Sequence, residues 1–321
     1  MKVDLHGLLT EPINAFVQQK RALSRKYLTE AAALRLLDRY ATEQGITAWQ
    51  QIDGRVIDAF LASRPRHRPR SYNHLLALTH HFFDWAVVHK LTDHNPVILR
   101  PRRETSACIP YLFSLDDARR LLESARGLHD RSRAPRRALV YETVFVLLYG
   151  LGMRVGEVTH LLVGDIDLER ATLFIRDTKF SKSRLVPFGP RIGRRLEDYM
   201  DASFGTERDR DRPLFSFTKR GPIHECTVSA TFHSLMPHLG LKIPEGVAPP
   251  HLHDLRRAFA VGTLLRWYRE GVDPNRRLIQ LSTFLGHTDP TSTAVYLTIT
   301  EELLREADRR FRAFAMKGGG L

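Results

Sequence analysis

The sequence predicts two domains: an all-α bundle over residues 1–103, and a larger, mainly α domain over residues 107–321 that carries a small β-hairpin sheet. Three observations predict this. The chain has 321 residues, 43% of them hydrophobic, which is enough material for two buried cores. Apolar residues recur at helical spacing along most of its length, and only Thr172–Ile175 and Arg184–Pro187 read as short β-type runs. A basic, proline-marked stretch, Arg100-Pro-Arg102-Arg103, divides the two halves and looks like a hinge.

In the first half, Leu34, Leu37, Tyr40 and Ala41 form one helical stripe. Gly45 and the break at residues 51–54 precede a second segment, with Val56, Ile57, Phe60 and Leu61. A third helix carries Leu75, Leu78, Phe82, Trp85 and Ala86 on one face. Asn95-Pro96 closes the bundle, because a residue before proline avoids helical dihedrals. Between the second and third helices Arg64, Arg66, Arg68 and Arg70 alternate with Pro and His, which predicts a cationic loop and not a helix. Residues 1–105 hold sixteen Lys and Arg against ten Asp and Glu, so this half is basic in its own right.

The second half opens near Tyr111, where Ser114 is placed to cap a helix starting Leu115-Asp116-Asp117. An apolar helix over 138–149 ends at Gly150 and Gly152 and leads into Arg154. The two β-type runs flank a polar turn, which predicts a hairpin. Residues 191–203, 227–238, 251–269, 275–285 and 301–315 read as helical, and the closing Gly-rich tail as flexible.

Composition narrows the function. The formal net charge of +13 favours a polyanionic partner, either nucleic acid or an acidic membrane face. The two cysteines, Cys108 and Cys226, argue against a disulfide scaffold or a cysteine zinc site and suit a reducing cytosol. No apolar run approaches the ~20 residues that span a bilayer, and Lys2, Asp4 and His6 interrupt any leader-like start. The histidines are scattered, with only His251 and His253 close together, so no metal and no cofactor is expected. A cytoplasmic protein associated with the nucleoid is the expected setting.

The chemistry concentrates in six residues: Arg154, Lys179, His253, Arg256, His287 and Tyr296. The tightest group reads His253-Asp-Leu-Arg256, then Leu285-Gly-His287, then Tyr296 nine residues later. Five such matches at set spacing arise by chance in roughly one chain in ten thousand of this length. Two guanidiniums, an ammonium, two imidazoles and a phenol make up a phosphate clamp, proton-transfer groups and a nucleophile, which suits metal-free phosphodiester cleavage. Each residue also has a plain alternative. Tyr296 sits in the apolar run Ala294-Val-Tyr-Leu297 and alone reads as core. His287 after a glycine reads as a helix C-terminal cation. Lys182 and Lys219 compete with Lys179.

These stretches resemble the tyrosine recombinase (phage integrase) family. The similarity lies in Gly150-Leu-Gly-Met-Arg154-Val-Gly-Glu157, in Thr178-Lys179 ahead of Arg184-Leu-Val-Pro187, in His253-Asp-Leu-Arg256, and in Leu285-Gly-His287 with Tyr296. It covers roughly residues 108–300. The opening stretch, with Phe16, Thr29 and Leu36-Leu37, looks most like the transposon-borne members. One departure is Arg257, where members often carry a second histidine after the arginine.

The resemblance implies a SAM-like, core-DNA-binding bundle followed by the recombinase catalytic fold. It implies that Tyr296 attacks a DNA phosphate to form a 3′-phosphotyrosine while Arg154 and Arg256 bind the non-bridging oxygens. Lys179 would protonate the leaving 5′-oxygen, His253 accept the tyrosine proton and His287 hydrogen-bond the phosphate. Glu157, one turn beyond Arg154, would orient that arginine or a neighbouring histidine. Double-stranded DNA with specific recombination sites is the expected partner. Arg64, Arg66, Arg68, Arg70, Arg100, Arg102 and Arg103 are candidate phosphate contacts. A homo- or hetero-tetramer would assemble on the DNA, with the helix Glu301–Phe314 docking on a neighbouring protomer. A type IB topoisomerase-like enzyme and an inactive, recombinase-like DNA-binding protein are the alternatives.

Overall fold

The structure, a computed structural model, describes residues 7–23, 26–104, 109–176, 183–218, 221–287, 289 and 291–294. The expectations placed on Lys179, Tyr296 and the helix at 301–315 lie outside the described residues. The chain forms two compact units, Met1–Ala107 and Cys108–Leu321.

The first unit contains α1 (Thr10–Ala22), α2 (Leu28–Glu43), α3 (Gly54–Ala62) and α4 (Pro69–Val88). Its core collects the expected stripes, with Leu34, Leu37, Ile57, Phe60, Leu75 and Phe82 buried. Phe16 of α1 meets Phe82 and Trp85 of α4 edge-on, at 5.7 Å in each case, the arrangement aromatic quadrupoles favour. Asp53 starts α3 by accepting a 3.0 Å bond from the Val56 amide, an N-cap.

The arginine-rich loop is shorter than expected. Pro69 occupies the first position of α4, so Arg70 stands in a helix and only Arg64, Arg66 and Arg68 precede it. The reason is that proline, which breaks helix interiors, is preorganised for a helix start and loses no hydrogen bond there. Arg102 is engaged within its own unit. Its guanidinium lies 3.8 Å from the centre of the Tyr72 ring and donates to the Arg66 carbonyl at 3.1 Å. Its backbone N–H donates to Asn73 at 2.7 Å. Residues 100–104 are therefore tied to the start of α4 at this point.

The second unit opens with α5 (Leu115–Arg126), where Ser114 and Asp117 form a reciprocal capping box, with bonds of 3.1 and 3.0 Å. Next comes α6 (Arg137–Gly150), mostly apolar and buried in the main core with Val144, Phe145, Leu147 and Leu148. A short helix, α7 (Val155–Thr159), follows the glycine turn.

The sheet has three antiparallel strands in the order β1-β2-β3: Ile166–Asp167, Thr172–Ile175 and Arg184–Pro187. The expected hairpin is β2–β3, and β1 adds a third strand too short to show periodicity. Leu173 pairs with Val186 and Ile175 with Arg184. Leu173, Ile175 and Val186 are buried, so alternation also turns Arg184 toward the inner face.

Then come α8 (Pro190–Phe204), α9 (Glu225–Leu235) with a 3₁₀ turn over Met236–Leu239, α10 (Asp254–Arg269), α11 (Pro274–Leu285) and α12 (Thr291–Ala294). The residues 251–253, expected to be helical, form the turn that leads into α10. α10 packs on both α6 and α11, which brings the turn after α6, the start of α10 and the end of α11 together. Among the described residues, no helix is long and apolar enough to cross a membrane.

Candidate active site

Arg154 stands at the N-cap of α7. A cation is unfavourable at that end of a helix dipole. Glu157 offsets this by turning back: its Oε2 accepts the Arg154 backbone N–H at 2.9 Å, and its Oε1 accepts Arg154 Nη1 at 2.7 Å. Arg154 Nη2 donates to the carbonyl of Gly286 at 2.9 Å. The side chain keeps 32% of its surface exposed, so the guanidinium is held in place yet reachable.

Arg256 lies in the first turn of α10 and is 1% exposed. Its Nη1 donates to the Gly152 carbonyl and its Nη2 to the Leu285 carbonyl, both at 2.7 Å. These two carbonyls fix the orientation of its guanidinium. Gly152 makes the arrangement possible, with φ at +60° and a position where a Cβ would lie 2.5 Å from Phe259 and 3.0 Å from Leu285. Asp254, fully buried, braces the start of α10 by accepting the His251 N–H at 2.7 Å and Arg257 at 2.5 Å. Arg257 at the departing position is thus one half of an ion pair.

The two histidines flank this cationic cluster. His253 forms the N-cap of α10. Lost hydration, then repulsion from Arg256 and Arg257, lowers its pKa to about 4. The residue keeps exposed surface, so repulsion is the part of that shift the geometry supports best. His287 follows Gly286, which has φ at +69°. Its N–H donates to the Ser282 carbonyl at 2.9 Å, and that of Gly286 to Thr283 at 3.0 Å, which closes α11. Burial, then Arg256 and Arg154, lowers the His287 pKa to about 4. Its Nδ1 is 2.6 Å from the hydroxyl of the buried Thr293. At neutral pH both rings are uncharged and able to exchange protons.

The structure brings Arg154, Glu157, His253, Arg256 and His287 into one cluster. The seven arginines proposed as DNA contacts belong to the first unit. Two further residues complete the cluster, Thr293 and Arg184. Arg184 reaches Glu157 with Nη1 and Nη2 at 2.9 Å each and donates through Nε to the Phe284 carbonyl at 3.0 Å. The sequence does hold a signal for Arg184: it alternates with Val186 onto the buried face of a strand, where an unpaired arginine is rare. Thr293 leaves no comparable trace. A cavity of about 730 Å³ behind the sheet, lined by Asp165, Arg170, Phe174, Arg176 and Arg210, includes none of the cluster residues.

Known proteins resemble this chain in sequence and in fold. The model of the phage integrase family matches residues 113–302. The integrase/recombinase-type protein y4rB of Sinorhizobium fredii is 38% identical over 219 residues, which is 66% of this chain and 67% of that protein. The tyrosine recombinase XerA of Pyrococcus horikoshii is 28% identical over 212 residues, 66% of this chain and 65% of its own. Among solved structures, the Tn1549 transposon integrase in complex with transposon right-end DNA shares the fold, with a TM-score of 0.63 at 14% identity over 95% of this chain and 99% of that one. A lambda integrase dimer bound to a core site gives 0.60 at 17% identity, over 88% and 96% of the two chains.

Proposed function

The chain belongs to the phage integrase family and is a tyrosine-type site-specific recombinase; we propose that it cuts and rejoins DNA with Tyr296 as nucleophile at the cluster built from Arg154, Arg256, His253 and His287. The observation that carries this reading is the pair of guanidiniums, Arg154 and Arg256, hung on the carbonyls of Gly152, Leu285 and Gly286 beside two neutral histidines.

Each demand of the reaction has a group suited to it. A phenol ionises near pH 10, so Tyr296 needs a cationic field and a base, and neutral His253 is the base. The five-coordinate phosphorus carries charge on its non-bridging oxygens, and two planar, permanently charged forks match them. His287, its Nδ1 held by Thr293, presents its other ring nitrogen to the same phosphate. The departing 5′-oxygen has a basicity near that of hydroxide, with a pKa of about 15–16, and needs an acid. Lys179 is assigned that role. The bond to Tyr296 conserves the phosphodiester energy, so the strand rejoins when a 5′-hydroxyl attacks.

Residues 1–103 are proposed as the core-DNA-binding bundle and residues 107–321 as the catalytic domain. The loop at Arg64, Arg66 and Arg68, with Arg70, Arg100 and Arg103, would reach phosphates. Arg102 would act by shaping that surface. A lambda integrase tetramer bound to a Holliday junction has the same fold, and a tetramer of this chain on two specific DNA sites is proposed by analogy. A cytoplasmic, nucleoid-associated protein is the setting that goes with this reading.

The test is covalent capture. Nicked suicide duplexes drawn from the DNA that flanks the gene should accumulate a protein–DNA adduct with the native chain. Tyr296→Phe, which removes only an oxygen, should bind the same duplexes and form none. A normal adduct from Tyr296→Phe would overturn the assignment.

A further inference from the structure

Arg184 has no role in the scheme above, yet it holds Glu157 more tightly than Arg154 does. Both of its terminal nitrogens meet the carboxylate, one on each oxygen, at 2.9 Å. The Arg154 guanidinium offers only Nη1, to a single oxygen, and spends Nη2 on the Gly286 carbonyl, while its backbone N–H meets the other oxygen. The carboxylate is 7% exposed and Arg184 11%, so this pair is largely out of water. Arg184 is further fixed by its bond to the Phe284 carbonyl. At Gly286 a Cβ would lie 2.6 Å from Arg184 Nη1, so only a glycine lets the two approach. Burial pushes the Glu157 carboxyl up, yet it is held below its usual range, and in this the Arg184 bond and charge come ahead of those of Arg154.

We infer that Arg184 is a positioning residue that neutralises Glu157 from the sheet side and so leaves the charge of Arg154 available for the DNA phosphate. One carboxylate between two guanidiniums leaves a net charge of about +1, and geometry decides where it resides. The bidentate partner is the better matched counter-ion, so the surplus lies on Arg154, the more exposed of the two. Without Arg184, the buried carboxylate has one cation within reach. Arg154 would turn into the bidentate pair, and the phosphate would lose a clamp. The same contact ties β3, at the foot of the strand pair that brackets Lys179, to the end of α11 that carries His287.

This inference rests on the recombinase reading, and the experiment separates the two. Arg184→Met, Glu157→Gln and the double variant of the full chain are compared with the native protein. One readout is adduct formation on the suicide duplexes. The other is affinity for inorganic orthovanadate, an oxyanion of phosphate shape, which needs no cleavage and no DNA sequence. Arg184→Met should bind vanadate at least tenfold more weakly and form adduct ~10²-fold more slowly, the order expected for losing one preorganised donor to the transition state. With Glu157 neutral, Arg184 should no longer matter, so the double variant should match Glu157→Gln in both readouts and exceed Arg184→Met. A purely structural arginine would not show this rescue. Equal vanadate affinity in Arg184→Met and the native chain overturns the inference, as does a further loss in the double variant relative to Glu157→Gln. The second comparison holds even if Arg184→Met alone does not fold. If no Tyr296-dependent adduct forms with the native chain, the recombinase assignment fails while the vanadate comparison still decides the role of Arg184.

Discussion

Glu142 and Glu157 sit in the same unit, each between two arginines, and each is 7% exposed. Glu142 on α6 takes Arg126 of α5 at 2.7 Å and Arg195 of α8. It links three helices, and Arg126 keeps 61% of its side chain in water. Glu157 takes Arg154 and Arg184, but there the remaining donors run to the carbonyls of Phe284 and Gly286, and Arg256 adds a further buried cation. The first arrangement braces helices. The second gathers positive charge around neutral groups, and burial together with that charge pushes two histidines down to about 4. The motif of one acid between two bases therefore says nothing of function by itself. What surrounds the arginines distinguishes a brace from an anion site.

The sharpest way to break this comparison is to remove one arginine from each cluster. Arg256→Met keeps a long apolar stem and deletes the charge. It should slow adduct formation by ~10²–10³-fold, the worth of one preorganised charge-stabilising contact, as read by rates on the suicide duplexes. Arg195→Met should leave those rates within threefold. Comparable losses of rate in the two variants would mean that the clusters do not differ as described.

A smaller effect is expected from the brace, and on a different readout. Glu142→Gln removes the carboxylate and leaves Arg195, only 22% exposed, without its counter-ion. Breaking a fully buried pair costs ~3–5 kcal/mol. Here Arg126 recovers its hydration, so about 1–3 kcal/mol is the expected loss. That would lower the melting temperature by ~2–4 °C for each kcal/mol in a unit of this size, with vanadate affinity unchanged. A fall in vanadate affinity would make Glu142 part of the site.

The two clusters also differ in how far they can be read from the sequence. The residues proposed for phosphate chemistry stand in short motifs, so Arg154, the His253–Arg256 segment and His287 stand out from the amino-acid order alone. Local signals mark the start of α5, since Ser114 and Asp117 lie three residues apart, and Gly150 and Gly152 mark the turn after α6. The supports are different. Arg184 meets the Phe284 carbonyl across 100 residues of chain, and Arg256 meets Gly152 across 104. No periodicity encodes such pairings. The braces at Glu142 are equally silent, because an arginine on a helix reads as solvated whether or not it is paired. β1 and α12 are too short for a repeat to register. Arg70 reads as loop because proline marks both loops and helix starts, and only the folded chain distinguishes them.

The smallest effect follows from the histidines, and it sharpens the comparison most. His253 and His287 ionise at about 4 in the folded chain, against 6.5 in the unfolded one. Between those values the unfolded chain binds more protons, so stability rises with pH through this window and is lost as pH falls from 6.5 toward 4. Burial is the largest cause for both rings, followed by Arg256, Arg154, His253 and Arg184 around His287, and by Arg256, Arg257 and Arg154 around His253, with Asp254 opposing. An oxyanion bound between Arg154 and Arg256 would cancel part of that repulsion, and the histidine pKa values would rise toward their ordinary range. Binding should therefore take up protons. The uptake should be largest between pH 4 and 6.5 and should vanish well above it. Calorimetric titration of the full chain with sulfate, in buffers of different ionisation heat, measures it directly. A fraction of a proton per anion is expected near pH 5.5, reduced in His287→Asn and unaltered in Glu142→Gln. Uptake that persists undiminished in a His253→Asn, His287→Asn double variant would show that the anion is read by groups other than these two rings.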